Sequence, residues 1–264
     1  MAPATSAILA PYCYRCPLKL KFPSCDIQCL TTSLELADAN FTSKPAAFIG
    51  EPILSAGGVI VPPEGFYKRV QEACHERGIK MVAVTAGYIC EEPRAEFYRY
   101  MDAANVDLKA FTERFYKELC SSSLAPVLET LKYLKHETDV WFEITNLVIP
   151  DANDSPDEIQ ELCDWVLENV GDEVPVHFTA FHPDFRMQDR PPTPPETLNT
   201  ARDIAIQTGL KYVYNGNVDD VTRQSTYCPN CKKIVIERNW YELGIYALNG
   251  NDCSHCGHRI AGHF

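Results

Sequence analysis

Basic charge is scarce in this chain: 24 Lys and Arg stand against 36 Asp and Glu, a formal charge of −12. No segment gathers the cations that a phosphate backbone demands, so nucleic acid is not expected as a partner. Long apolar runs are missing too. None approaches the roughly 20 residues needed to cross a bilayer, so no membrane partner is expected either. The stretch Met1-Ala-Pro-Ala-Thr-Ser-Ala-Ile-Leu-Ala10 has neither a basic n-region nor a convincing apolar h-region, and is read as no signal peptide. Cysteine, by contrast, is plentiful, with 12 in 264 residues. Without a secretory signal that usage points to a reducing cytoplasm, where metal ligation explains paired thiols better than disulfides. The length suits one large domain with a small appendage.

Two cysteine groupings stand out. Cys228-Pro-Asn-Cys231 and Cys253-Ser-His-Cys256 form two Cys-x2-Cys pairs, each a tight knuckle presenting two corners of a tetrahedron. Ile234–Arg238 and Tyr241–Leu248 between them read as a short hairpin. This spacing predicts a structural zinc ribbon over 223–264, although a rubredoxin-like iron site has the same spacing. His255, His258 and His263 are surplus to four ligands. Near the other end, Cys13 and Cys16 are followed by Cys25 and Cys29 in an irregular segment, 1–45. These four are a candidate zinc or iron–sulfur site, or thiols that only pack.

Between the groupings the pattern becomes regular. Ala46–Glu51 reads as a strand, and Phe66, Val70, Ala73 and Cys74 make the apolar stripe of a helix that Gly78 ends. Strand-like runs follow at Val82–Thr85, Asn105–Leu108, Val140–Leu147, Val176–Ala180 and Tyr212–Tyr214. A capped helix with Pro in its first turn opens at Asp154-Ser-Pro-Asp-Glu158. Thr193-Pro-Pro-Glu196 reads as a capping box for another. Alternating strands and helices over 46–222 predict an α/β domain with a parallel sheet, open or curled into a partial barrel.

In such sheets ligands bind at the carboxyl ends of the strands. Those ends supply Thr85, Asp107 with Lys109, Glu143 with Asn146, and His182. A carboxylate, an ammonium group and an imidazole at one mouth suit a zwitterionic, amino-acid-like ligand carrying a nucleoside. The alternative is that charged strand ends stay solvated, and that His182, beside Pro183, is structural.

Two family resemblances join at Lys80-Met-Val-Ala-Val-Thr-Ala-Gly87. Upstream, Pro11-Tyr-Cys-Tyr-Arg-Cys-Pro17, Pro23-Ser-Cys-Asp-Ile-Gln-Cys29 and the run Glu51–Phe66 resemble class III pyridoxal-phosphate aminotransferases. That likeness stops before the Asp and Schiff-base Lys such an enzyme uses, so bound pyridoxal phosphate (PLP) is not expected. Downstream, Thr85-Ala-Gly-Tyr88, Met101–Phe111, Asp139–Asn146 and Phe181-His-Pro-Asp-Phe-Arg-Met187 resemble the radical S-adenosylmethionine (SAM) enzyme of the AmmeMemoRadiSam system, related to pyruvate formate-lyase activating enzymes.

This second resemblance implies a partial (βα)6 barrel, and SAM held by Thr85, Asp107, Lys109, Glu143 and His182. It also implies a [4Fe-4S] cluster as reductant and partner proteins of the same system. The Cys-x3-Cys-x2-Cys loop that would hold that cluster is absent from the whole chain, along with the first barrel strand. The readings to be weighed are therefore an impaired radical SAM-type enzyme, a non-catalytic α/β protein bearing a zinc ribbon, and a remnant aminotransferase.

Overall fold

A computed structural model describes residues 5–41, 45–55 and 57–264. The first four residues of the N-terminal stretch, residues 42–44 of the 1–45 segment, and Ala56 lie outside it. The chain divides into two compact units, Met1–Met81 and Val82–Phe264.

The first unit is built on two helices, α1 (Gln28–Asn40) and α2 (Phe66–Glu76). Phe66, Val70 and Cys74 recur at helical spacing and are buried with Ile27 and Leu30. Cys74 is thus a core residue, as its place on the apolar stripe predicts. Arg69 forks onto both carboxylate oxygens of Asp26 at 2.8 and 2.7 Å, clamping the entry to α1 against α2. The strand expected at Ala46–Glu51 does not form. Ile49 is 96% exposed, and the Glu51 carboxylate instead accepts from the Ser55 backbone at 3.1 Å, closing a turn. An extended run becomes a strand only when a neighbouring strand takes its backbone groups, and among the described residues none pairs with it.

The second unit holds β1 (Val82–Thr85), α3 (Glu91–Tyr98), β2 (Ala103–Asp107), α4 (Glu113–Leu119), α5 (Ala125–Glu137), β3 (Trp141–Val148) and α6 (Pro156–Asn169). It continues through β4 (Val176–Ala180), α7 (Pro195–Thr208), β5 (Val213–Gly216) and the short α8 (Val221–Gln224). All five strands are parallel, in the order β1-β2-β3-β4-β5. Helices supply the crossovers such pairing requires. Ser155 caps α6 by accepting from the Glu158 N–H, and Pro156 opens its first turn, as the sequence pattern predicts.

The capping box expected at Thr193 is not formed. Pro194 occupies the cap position of α7, and the buried Thr193 hydroxyl accepts from Phe181 N at 2.8 Å while donating to Val148 O at 2.6 Å. It ties the loop after β4 to the end of β3.

Strand alternation decides which side chains are free to act. Ala104 and Val106 of β2, Phe142, Ile144 and Val148 of β3, and Val176 and Phe178 of β4 join the buried core with residues of α5, α6 and α7. The intervening positions form the opposite face of the sheet and are mostly half-buried. Gly87, at φ +65°, turns the chain out of β1, and a Cβ there would lie 2.8 Å from Val106 Cγ1. Only glycine meets both conditions.

The chain ends in small antiparallel pieces: β6 (Thr226–Tyr227), β7 (Ile234–Asn239), β8 (Glu242–Tyr246), β9 (Leu248–Asn249) and β10 (Asp252–Cys253). The predicted hairpin is β7–β8. Its core is slight, chiefly Val235, Ile236, Leu248 and Ile260 with two cysteines and Tyr212. Among the described residues, no helix is long and apolar enough to cross a membrane.

Candidate functional site

The clearest site is the C-terminal thiolate cage. Cys228, Cys231, Cys253 and Cys256 place their sulfurs within 4.8 Å of one another. Two of the separations, Cys228–Cys256 at 3.7 Å and Cys231–Cys253 at 3.8 Å, are specific. A tetrahedral shell with metal–sulfur bonds of about 2.3 Å has edges of about 3.8 Å, so the four thiols stand at ligand spacing. Backbone geometry holds them there. The Cys228 N–H donates to Lys233 O, and the Cys253 N–H donates to His258 O. The His258 N–H and the Asn230 amide bring the exposed Cys256 thiol down to about 6, whereas burial pushes Cys228 up to about 11. A metal held by all four sulfurs would have a closed shell with no position open for substrate.

The second cluster lies on the sheet face turned away from the α5, α6 and α7 core. Register aligns Asp107 with Thr145, Thr145 with His177, and His177 with Tyr214. Asp107 ends β2 and pairs with Lys109 at 2.7 Å, both about one-third exposed. The backbone at Lys109 is clamped from three sides. Its N–H donates to Tyr116 Oη at 3.1 Å, and its carbonyl accepts from Asn153 Nδ2 at 2.6 Å. The preceding carbonyl, of Leu108, accepts from Asn146 Nδ2 at 2.8 Å. Buried amides thus hold an exposed charge pair in place.

The other predicted site residues are distributed differently. Glu143 is the third residue of β3, near the opposite end of the strand from the expected mouth. Its carboxylate meets His177 Nε2 at 2.6 Å, and His177 stacks on Tyr214 with ring centroids 5.0 Å apart. Arg238, from β7, lies over the same Tyr214 ring at 5.8 Å. Asn146 points into the core, not the mouth.

Thr85 ends β1 but spends its hydroxyl locally, accepting from Gly87 N at 3.1 Å and bonding Tyr98, whose own hydroxyl burial pushes up to about 12. His182 is exposed in the loop after β4. Of the five expected ligands, only Asp107 and Lys109 come together directly. His177, Tyr214 and Arg238 carried no sequence signal beyond their alternating positions.

Burial alone would raise the Glu143 carboxyl, but the hydrogen bond and charge of His177, with help from Trp141 and Arg238, bring it below the usual carboxylate range. A depressed carboxylate contributes stability that is present above its unfolded pKa and is lost as pH falls through the folded value. Glu143→Gln is therefore expected to lower the thermal midpoint at neutral pH and to flatten its acid limb between pH 5 and 3. Parallel acid limbs for the two proteins would refute the pairing.

The five-stranded parallel sheet and its helices make an α/β fold similar to that of a domain of pyruvate-formate lyase-activating enzyme from Bacteroides vulgatus. The match has a TM-score of 0.52 and 16% identity, over 66% of this chain and 99% of that one. No protein-family model matches the sequence. An uncharacterized protein of Methanocaldococcus jannaschii is 43% identical over 187 residues, 70% of this chain and 55% of that protein. The adenosylmethionine-8-amino-7-oxononanoate aminotransferase of Geobacter sulfurreducens is 45% identical over 76 residues, 28% of this chain and 17% of that enzyme. The chain thus spans about half the length of the first relative and under a fifth of the second.

Proposed function

We propose that the Val82–Phe264 unit is a SAM-binding barrel of activating-enzyme type, that it carries zinc in its ribbon, and that it does not cleave SAM by itself. The Asp107–Lys109 pair supports the binding reading. It sits at a strand end on the face turned away from the α5, α6 and α7 core, and Tyr116, Asn146 and Asn153 hold the backbone beside it. Lys109 would receive the ligand's carboxylate and Asp107 its α-amino group, two charge-assisted contacts of the kind a zwitterion needs. Thr145 and His177 continue the polar row across the sheet and would face the nucleoside.

The residues present do not fit the reducing cluster of this fold class. That cluster needs three thiolates in one loop, and no Cys-x3-Cys-x2-Cys occurs in the chain. Cys90, the first cysteine after β1, stands alone and exposed. No radical step is therefore assigned to these residues. The aminotransferase-like segment matches only a small part of an enzyme, which supports reading it as joined to the barrel without its chemistry. If the chain acts in an AmmeMemoRadiSam-type system, it does so through binding.

SAM binding tests this directly. Calorimetry should show SAM bound weakly, with Lys109→Ala weakening it roughly tenfold, the loss of about one charge-assisted contact. Equal affinity in the wild type and Lys109→Ala would remove the pocket from this strand end.

A further inference from the structure

The function above leaves the cysteines of the Met1–Met81 unit unused. Cys13 begins a single 3-10 turn and Cys16 follows it, while Cys29 lies in the first turn of α1 and Cys25 just before it. All four line one cavity of about 360 Å³, counting its open mouth. Its other walls are mostly apolar, among them Leu18, Leu20, Phe22 and Ile27, and no carboxylate or imidazole is among the described residues that line it. The thiols are also within electrostatic reach of one another: Cys13 of Cys16 and Cys25, and Cys29 of all three.

We propose that Cys13, Cys16, Cys25 and Cys29 form a second metal site, a four-thiolate centre for a soft metal, as a zinc ion or an iron–sulfur cluster. The donor set decides the class of metal. Sulfur alone selects zinc, copper(I) or iron–sulfur species and rejects magnesium and calcium, which need oxygen. Packing accounts for Cys29, which lies against the same small core as Cys74, but not for Cys13, which is exposed.

Among the described residues only the ribbon thiols already stand at ligand spacing, so these four would have to draw together around a metal. With all four thiolates engaged, no coordination position is left for a substrate, and the centre would be structural or electron-transferring.

The full chain, purified anaerobically, should carry metal beyond the ribbon's share. Cys25→Ser/Cys29→Ser should remove that excess and leave the ribbon metal in place. Loss of iron and acid-labile sulfide together would identify a cluster; loss of zinc alone would identify a single ion. Either supports the site, and unchanged metal content would overturn it. Because the variant could misfold, the intact protein supplies a second measurement. Cys13, Cys16, Cys25 and Cys29 should resist alkylation until a chelator is added. Alkylation without chelator, or peptides joined by disulfides, would overturn the proposal.

Discussion

Cys253→Ser is expected to empty the C-terminal metal site and unfold the ribbon while leaving the five-stranded sheet intact. The ribbon's own core is too small to hold it. Two of its buried residues, Cys228 and Cys253, belong to the thiol cage, and Tyr212 is contributed from outside the ribbon. Units this small depend on a metal or a cross-link for stability. Metal binding in comparable four-ligand modules is worth about 10–16 kcal/mol and is inseparable from their folding.

The sheet has an independent core made with α5, α6 and α7, so far-ultraviolet dichroism should largely survive. Metal content should fall by about one equivalent per chain, the capacity of one closed tetrahedral site. Trypsin should then cut at Lys232, Lys233, Arg238 and Arg259. Trp141, whose ring meets His263 edge-on at 5.7 Å, should report the loss by a red-shifted emission. Unchanged metal content and protease resistance would show that these thiols are not ligands.

The second large effect is an absence of turnover. The chain, reconstituted anaerobically with iron and sulfide and reduced with dithionite, should form no more 5′-deoxyadenosine than a protein-free control. The reason is coordination. Reductive cleavage of SAM requires an iron held by the protein through fewer than four thiolates, so that one position stays open. The ribbon's four sulfurs, within 4.8 Å of one another, would close around a single ion. Cys13, Cys16, Cys25 and Cys29 would close around theirs as well. Cys74 and Cys163 are buried in packing, and burial pushes the Cys163 thiol up to about 12. SAM should nevertheless bind, which separates a missing reductant from a missing pocket. Robust 5′-deoxyadenosine formation would show that some of these thiols do assemble an open cluster.

Sequence by itself determined whatever depends on neighbours a few residues apart. The strand at Val176–Ala180 has the predicted bounds, and α6 follows from an apolar stripe behind a Ser-Pro cap. The ribbon follows from two Cys-x2-Cys pairs, because each knuckle is a local turn whose geometry is set by its own backbone. Asp107 and Lys109 were legible for the same reason, being two residues apart at the end of a buried strand. Tertiary structure alone decided the rest.

Ala46–Glu51 has the composition of a strand but no pairing strand among the described residues, and pairing is not a local property. Thr193 is spaced for a cap, yet the turn after β4 offers its hydroxyl two backbone partners 12 and 45 residues away. Glu143 lies toward the opposite end of β3 from where the apolar pattern put it. What it meets there, His177, Tyr214 and Arg238, comes from three different strands. Parallel register aligns the first two, and the returning ribbon adds the third. Register and chain return are set by the packing of whole elements, so no spacing within the sequence encodes that cluster.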